Sequence, residues 1–201
     1  MNIGVLGGTF DPIHMGHLII AEEARVKLPL SEVLFVPAGQ PWLKQDGDIT
    51  PAVHRVEMVR RAIADNPYFK LSTLEVERPG PSYTVDTLTM LRKQLGRKAG
   101  LFFLLGRDAL AEVALWKEPH KVVQLCKLVV APRIGSKDLR HLEKAIPGLL
   151  ERVIQLDMPV IGISSSEIRQ RIAQGLPIRY LVPPAVEKYI TEHRMYPVSA
   201  T

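Results

Sequence analysis

Two histidines three positions apart, His14 and His17, close a glycine-bearing run, Gly7-Gly8-Thr9-Phe10-Asp11-Pro12-Ile13-His14-Met15-Gly16-His17. The run follows a short apolar stretch at 3–6 and leads into a segment with helical spacing. Glycines let the backbone approach a ligand closely, and the N–H groups at a helix N-terminus, backed by the helix dipole, favour a phosphate. Two histidines so spaced can turn toward the same anion. A tight turn with packed or capping histidines is the plainer reading, but a pair inside a glycine-rich strand-to-helix turn shifts the balance to phosphate binding. The spacing is not that of a His-Glu-x-x-His zinc helix, and a full ligand set is not apparent. A dinucleotide fingerprint fails in register, because from Gly4 the pattern G-x-G-x-x-G needs glycine where Leu6 stands.

A second cluster is Ile163-Ser164-Ser165-Ser166-Glu167-Ile168-Arg169. Serines at a helix start expose hydroxyls and backbone N–H groups, while Arg169 and Arg171 add permanent positive charge, which together suit the outer groups of a triphosphate. Ser164 and Glu167 also fit a capping box, with Ile168 and Ile172 on the buried face. The two roles coexist. A third segment, Ser82-Tyr83-Thr84-Val85-Asp86-Thr87-Leu88, reads locally as a helix start, capped by Ser82 or Thr84 with Asp86 complementing the dipole. Trp116 lies in an amphipathic segment, where the ordinary expectation is core.

These clusters need a frame to bring them together. Apolar runs at 3–6, 33–36, 101–105, 128–131 and 153–156 read as strands. Between them, Val53, Val56, Val59 and Ile63 share one helix face, with Thr50 as N-cap and Pro51 in the first turn. Val85, Leu88, Leu91 and Leu95 form a second stripe. A further helical stretch runs from Leu18 through Ala21, Ala24 or Arg25 to Leu28, and Val186, Tyr189, Ile190 and His193 mark a last helix after Pro183 and Pro184. Continuous apolar strands alternating with amphipathic helices predict an α/β fold, a doubly wound, Rossmann-like, mainly parallel sheet with helices on both faces. One domain over 1–201 is expected, its C-terminal region from about 160 carrying the serine-rich cluster. Ligands on such a sheet bind at the carboxyl ends of strands near a switch in strand order. Residues 37–51 are turn-rich and read as a binding loop.

Lys and Arg number 26 against 21 Asp and Glu, a formal charge of +5 that suits phosphate-bearing ligands and, less specifically, nucleic acid. The basic residues are spread out, with no Lys/Arg block interleaved with aromatics, which argues against a nucleic-acid-binding arm. The lone Cys126 excludes an intramolecular disulfide; beside the apolar run at 128–131 it reads as a buried thiol in a reducing cytoplasm. No signal-like N-terminus and no 18-residue apolar stretch stand in the sequence, so a cytoplasmic protein without a membrane partner is expected.

The first run resembles the GxFxPxHxxH signature of the nucleotidyltransferase superfamily, with Gly8, Phe10, Pro12, His14 and His17 at the matching positions. The second is similar to ISSTxIR, Ser166 standing for Thr and keeping the hydroxyl. The third looks like the SYTxDTL motif of the nicotinate-mononucleotide branch; Gly106-Arg107-Asp108 with Trp116, and the run from Tyr180 through Pro184 to Tyr196, are similar to that branch too. The resemblance covers nearly the whole chain. It implies ATP held by Gly7, Gly8, Thr9, Phe10, His14, His17, Gly106, Asp108, Ile163, Ser164, Ser165 and Arg169, with His14, His17 and Arg169 catalytic. It implies a pyridine mononucleotide held by Lys44, Tyr83, Thr84, Asp108 and Trp116, the Tyr-Thr pair against the ring and its carboxylate and the indole stacked on the ring. One departure stands out: the family's Pro-Pro-His-Lys reads Pro41-Trp42-Leu43-Lys44 here, so the histidine is missing, Lys44 keeps a long stem that can reach a phosphate, and Trp42 with Leu43 suggests a more apolar lid.

The activity implied is transfer of AMP from ATP to nicotinate mononucleotide, with Mg2+ carried mainly on the ATP phosphates and no protein metal site. His14 and His17 beside phosphates should favour their protonated forms. Nicotinamide mononucleotide or phosphopantetheine as acceptor, and a non-catalytic nucleotide sensor, are the rival readings. A homo-oligomer is left open.

Overall fold

The structure is a computed structural model that describes residues 1–42, 49–96, 98–133 and 140–197. Six strands, β1 (Asn2–Gly8), β2 (Glu32–Pro37), β3 (Phe69–Leu71), β4 (Gly100–Gly106), β5 (Lys127–Ala131) and β6 (Val153–Gln155), form one sheet in the order β3-β2-β1-β4-β5-β6. Every neighbouring pair is parallel. The α-helices among the described residues are α1 (Met15–Lys27), α2 (Ala52–Ala62), α3 (Leu74–Glu77), α4 (Thr84–Leu95), α5 (Arg107–Ala111), α6 (Pro119–Leu125), α7 (Arg140–Ala145), α8 (Leu149–Arg152), α9 (Ser165–Ala173) and α10 (Pro184–Glu192). The doubly wound α/β expectation is met, and the strand order reverses between β1 and β4, which opens a crevice at their carboxyl ends.

Side chains alternate across a strand, so the central strands feed two cores. Leu6, Val33, Phe35, Phe102 and Leu104 join one buried cluster with Ala21, Met58, Ile168 and Ile190 from α1, α2, α9 and α10. Val5, Val36, Leu101, Phe103 and Leu105 join the other with Leu88, Val122 and Leu142 from α4, α6 and α7. The helix stripe of α4 falls as expected, and Cys126 is buried, its thiol pushed up to about 12 by desolvation.

Three expectations need correction. The strand β3 has no counterpart in the sequence reading, because it is three residues long with an exposed Lys70 at its centre and gives no apolar run. In α2 the buried face carries Arg55, Met58, Val59 and Ala62, whereas Val53 is 69% exposed. Thr50 does not cap that helix either: Pro51 occupies the cap position, and the Thr50 backbone is used elsewhere, its N–H donating to Asp11 and its carbonyl accepting from Arg55.

Candidate active site

Strand β1 ends in Gly7 and Gly8, and the chain then turns through Thr9 to Ile13 before α1 begins, with the Asp11-Pro12 peptide cis. Phe10 adopts φ 51°, a left-handed conformation uncommon for a bulky residue. Its side chain is 2% exposed and packs edge-on to His17, ring centroids 5.0 Å apart. The ring that anchors this turn is therefore core, and Phe10 can meet a nucleotide only through its backbone. His14 caps α1 and is almost fully buried; its ring stacks on His17 at 3.7 Å between centroids. The His14 N–H donates to His17 Nδ1 at 3.2 Å. An accepting Nδ1 carries no proton, so the proton of His17 resides on Nε2.

Burial pushes His14 down to about 4, so it is neutral near pH 7. The expectation of a protonated His14 applies only once a phosphate's charge is present to oppose desolvation. Its Nδ1 is buried and accepts or donates no hydrogen bond.

The serine-rich cluster meets the histidine loop directly. Ser164 caps α9, its hydroxyl accepting from the Glu167 N–H at 3.2 Å. One residue on, the Ser165 hydroxyl donates to the Pro12 carbonyl at 2.9 Å, and Arg169 Nη1 donates to the Asp11 carbonyl at 2.7 Å. The N–H of Met15 donates to the Leu181 carbonyl at 2.8 Å, so the C-terminal run also holds the start of α1. The N-terminal ends of α1 and α9 thus converge beside Arg169, and a hollow of about 410 Å3 opens next to it, lined by Ile49, Thr50, Pro51, Ala173, Tyr196 and Pro197. Arg171 is placed differently from the sequence reading. Its Nε and Nη2 both donate to the Pro177 carbonyl, which fastens the turn after α9.

Residues that carry no motif hold these loops. Arg55, 1% exposed, donates to the carbonyls of Thr50 at 2.8 Å, Thr9 at 2.8 Å and Gly39 at 3.3 Å, joining the turn after β1 to the loop after β2. Desolvation lowers its pKa, and the buried Asp11 carboxylate works in the opposite sense. Asp11 accepts from the Tyr196 hydroxyl at 2.6 Å and the Thr50 N–H at 3.3 Å, and burial raises the Tyr196 phenol well above its usual range. Asp11, Arg55 and Tyr196 were missed as functional positions. A signal existed for one of them: Arg55 stands in phase with Met58, Val59 and Ala62, so a charged group lay on an apolar face.

The third segment lies across the loop after β2. Neither Ser82 nor Thr84 is the cap: the Ser82 hydroxyl accepts from the N–H groups of Gly39 at 2.9 Å and Gln40 at 3.3 Å, while Tyr83 takes the cap position of α4 and Thr84 opens it. Gly39 has no room for a side chain, since a Cβ there would come within 2.2 Å of the Glu75 carbonyl. The Trp42 ring centroid is 5.6 Å from that of Tyr83. Trp116 is half-buried and packs edge-on against Phe103 at 5.9 Å, so it joins the core and keeps one side toward solvent. Gly106 ends β4 and caps α5; Asp108 is exposed and ion-paired with Arg133. Gly7, Gly8, Thr9, His14, His17, Ile163, Ser164, Ser165 and Arg169 gather around the β1 turn, and Tyr83, Thr84 and Trp116 belong to the α4 side of the sheet. Leu43 and Lys44 lie outside the described residues.

The cytidylyltransferase-like family pattern matches residues 5–171. A protein of Dehalococcoides mccartyi strain CBDB1 named "Probable nicotinate-nucleotide adenylyltransferase" is 46% identical over 198 residues, covering 98% of this chain and 97% of its own. One of the same name from Roseiflexus sp. strain RS-1 is 49% identical over 195 residues, covering 96% and 97%. Among solved structures, the nicotinic acid mononucleotide adenylyltransferase of Plasmodium falciparum complexed with NaAD superposes with a TM-score of 0.80 over 97% of both chains; at 23% identity this is a likeness of fold. The paired histidines, the serine-arginine cluster stitched to them and the full-length identity agree: this chain belongs to the cytidylyltransferase-like family and, within it, to the nicotinate-nucleotide adenylyltransferases.

Proposed function

We propose that this protein transfers AMP from ATP to nicotinate mononucleotide, forming nicotinate adenine dinucleotide and pyrophosphate. The observation that carries the reading is the pair of hydrogen bonds from Ser165 and Arg169 to the carbonyls of Pro12 and Asp11, which bring two distant phosphate-binding clusters to one point at the carboxyl end of β1. The acceptor's phosphate oxygen attacks the α-phosphorus of ATP in line, and the P–O bond to pyrophosphate breaks. The acceptor is already ionised, so no protein nucleophile or obligatory general base is needed; the protein positions the reactants and stabilises charge. His17 donates through Nε2–H, Arg169 offers the guanidinium donors not spent on Asp11, and the two helix N-termini add positive potential. Magnesium supplies further charge neutralisation when bound on ATP's phosphate oxygens and water. The buried Asp11 carboxylate is engaged with Tyr196 and Thr50, so phosphate oxygens and water would be the main ligands of such an ion. Tyr83, Thr84 and Trp116 receive the pyridine. Lys44 remains part of this proposal as a phosphate contact, and the reducing cytoplasm as the setting.

The test is pyrophosphate release from ATP and magnesium with nicotinate mononucleotide, nicotinamide mononucleotide and phosphopantetheine supplied separately. Selective turnover with the first is expected. Preference for either of the others would keep adenylyl transfer and replace the acceptor; absence of turnover with all three would turn the reading toward a nucleotide sensor.

A further inference from the structure

Lys117 connects the two segments assigned to the pyridine. It follows Trp116 in the chain, and its ammonium lies over the Tyr83 ring, 4.7 Å from the centroid. The same nitrogen is 3.1 and 3.4 Å from the two carboxylate oxygens of Asp86 in α4. Asp86 also serves a second cation, with Arg78 Nη1 3.5 Å away. One carboxylate thus faces two cations. The nearby Glu75 carboxyl is turned elsewhere: it is 7% exposed, accepts from the Thr87 hydroxyl, and is raised in pKa by burial, which favours its uncharged form. Glu118, next in the chain, pairs with Lys121 at 3.2 Å.

We propose that Lys117 is a specificity-determining residue that reads the negative charge of the pyridine carboxylate and so separates the acid mononucleotide from the amide. The proposal rests on the acceptor reading given above and adds a residue that the motifs do not contain. A ring carboxylate placed against Tyr83 brings the cluster to two anions for two cations. A carboxamide in the same place is neutral and covers the ammonium without compensating it. The amide is disfavoured because it covers the cluster and leaves one of its two cations without a compensating anion. In the free protein Lys117 keeps 43% of its side chain exposed, so its bond to Asp86 is a weak surface pair that can be shared with a ligand. Trp42 lies against the same Tyr83 ring, 5.6 Å between centroids, so an aromatic surface borders the cluster.

The experiment compares the full-length protein with Lys117→Met, which keeps the apolar stem, and Lys117→Arg, which keeps the charge. Initial rates of pyrophosphate release are measured with nicotinate and nicotinamide mononucleotide at saturating ATP and magnesium, and KM for ATP is measured separately. Lys117→Met is expected to lower the acid-to-amide ratio of kcat/KM about tenfold, through a higher KM for the acid, with KM for ATP unmoved; Lys117→Arg is expected to keep most of the ratio. An unchanged ratio in Lys117→Met, or an equal fall for both acceptors, overturns the assignment of Lys117 while leaving the acceptor reading intact. A parent protein that turns over neither mononucleotide overturns both.

Discussion

His14 and His17 lie face to face, their rings 25° from parallel and 3.7 Å apart, with the His14 N–H donating to His17 Nδ1. The arrangement separates two roles that look alike in the sequence. His14 is the buried member that closes the start of α1, and His17 is held in the tautomer that presents Nε2–H.

Replacing His17 by Ala removes that donor and leaves the buried side of the loop in place. Turnover is expected to fall roughly 100-fold or more, the range for losing one donor that stabilises transition-state charge. Circular dichroism should stay that of the parent, with the thermal midpoint lower by about 2–4 °C because the His14 N–H loses its acceptor. Near-normal pyrophosphate release by this variant would remove His17 from catalysis.

Trp116→Ala tests the other substrate. The indole presents one side away from Phe103, and loss of a stacking surface should raise KM for nicotinate mononucleotide about tenfold while KM for ATP changes much less. Equal changes in both constants would assign Trp116 to the core alone.

Arg55→Ala should act on stability first. It deprives the carbonyls of Thr9, Thr50 and Gly39 of their donor and leaves the Asp11 carboxylate without its nearby positive charge, at a cost of about 3 kcal/mol. Urea unfolding measures it. Arg55→Lys should recover only part of the loss, because an ammonium cannot reach three carbonyls in a fixed fork. A change within 0.5 kcal/mol, about the noise for surface sites, would contradict the bracing role.

The pH dependence follows from His14, whose folded-state value is lowered from 6.5 to about 4 by burial. Between these two values the unfolded chain holds a proton that the folded chain does not. Stability from this group is therefore complete above about 6.5 and declines as pH falls toward 4, by up to about 3 kcal/mol. Glu75, raised by burial, works in the opposite direction, so the comparison must isolate the histidine. Unfolding free energies at pH 7 and pH 4.5 should differ less in His14→Asn than in the parent, and identical differences would reject the account.

The first and second motifs, the parallel α/β class and five of the six strand positions were legible because each rests on neighbours in the chain: a glycine turn after an apolar run, a cap before a helix, an alternation of strand and helix. Val53 shows where this fails. Counting only apolar residues placed the α2 stripe on Val53, Val56, Val59 and Ile63; Val59 and Ile63 are buried as expected, but the rest of the buried face is Arg55, Met58 and Ala62, and Val53 is exposed. α10 meets α2 through Tyr189, whose hydroxyl lies 2.9 Å from His54 Nδ1 and whose ring sits under Arg61, a contact set by residues 135 positions apart. Which of two overlapping faces is buried depends on what stands opposite.

By itself the sequence determined the chemistry available at each loop, since residue type and local spacing decide caps, glycine turns and the charges they carry. Only the tertiary structure decided which loops share a site and in what protonation state. It places Arg169 on the Asp11 carbonyl across 158 positions and Tyr196 on the Asp11 carboxylate across 185, and it buries His14 deeply enough to keep it neutral. Desolvation and long-range hydrogen bonds arise from packing against distant segments, and no local pattern encodes them.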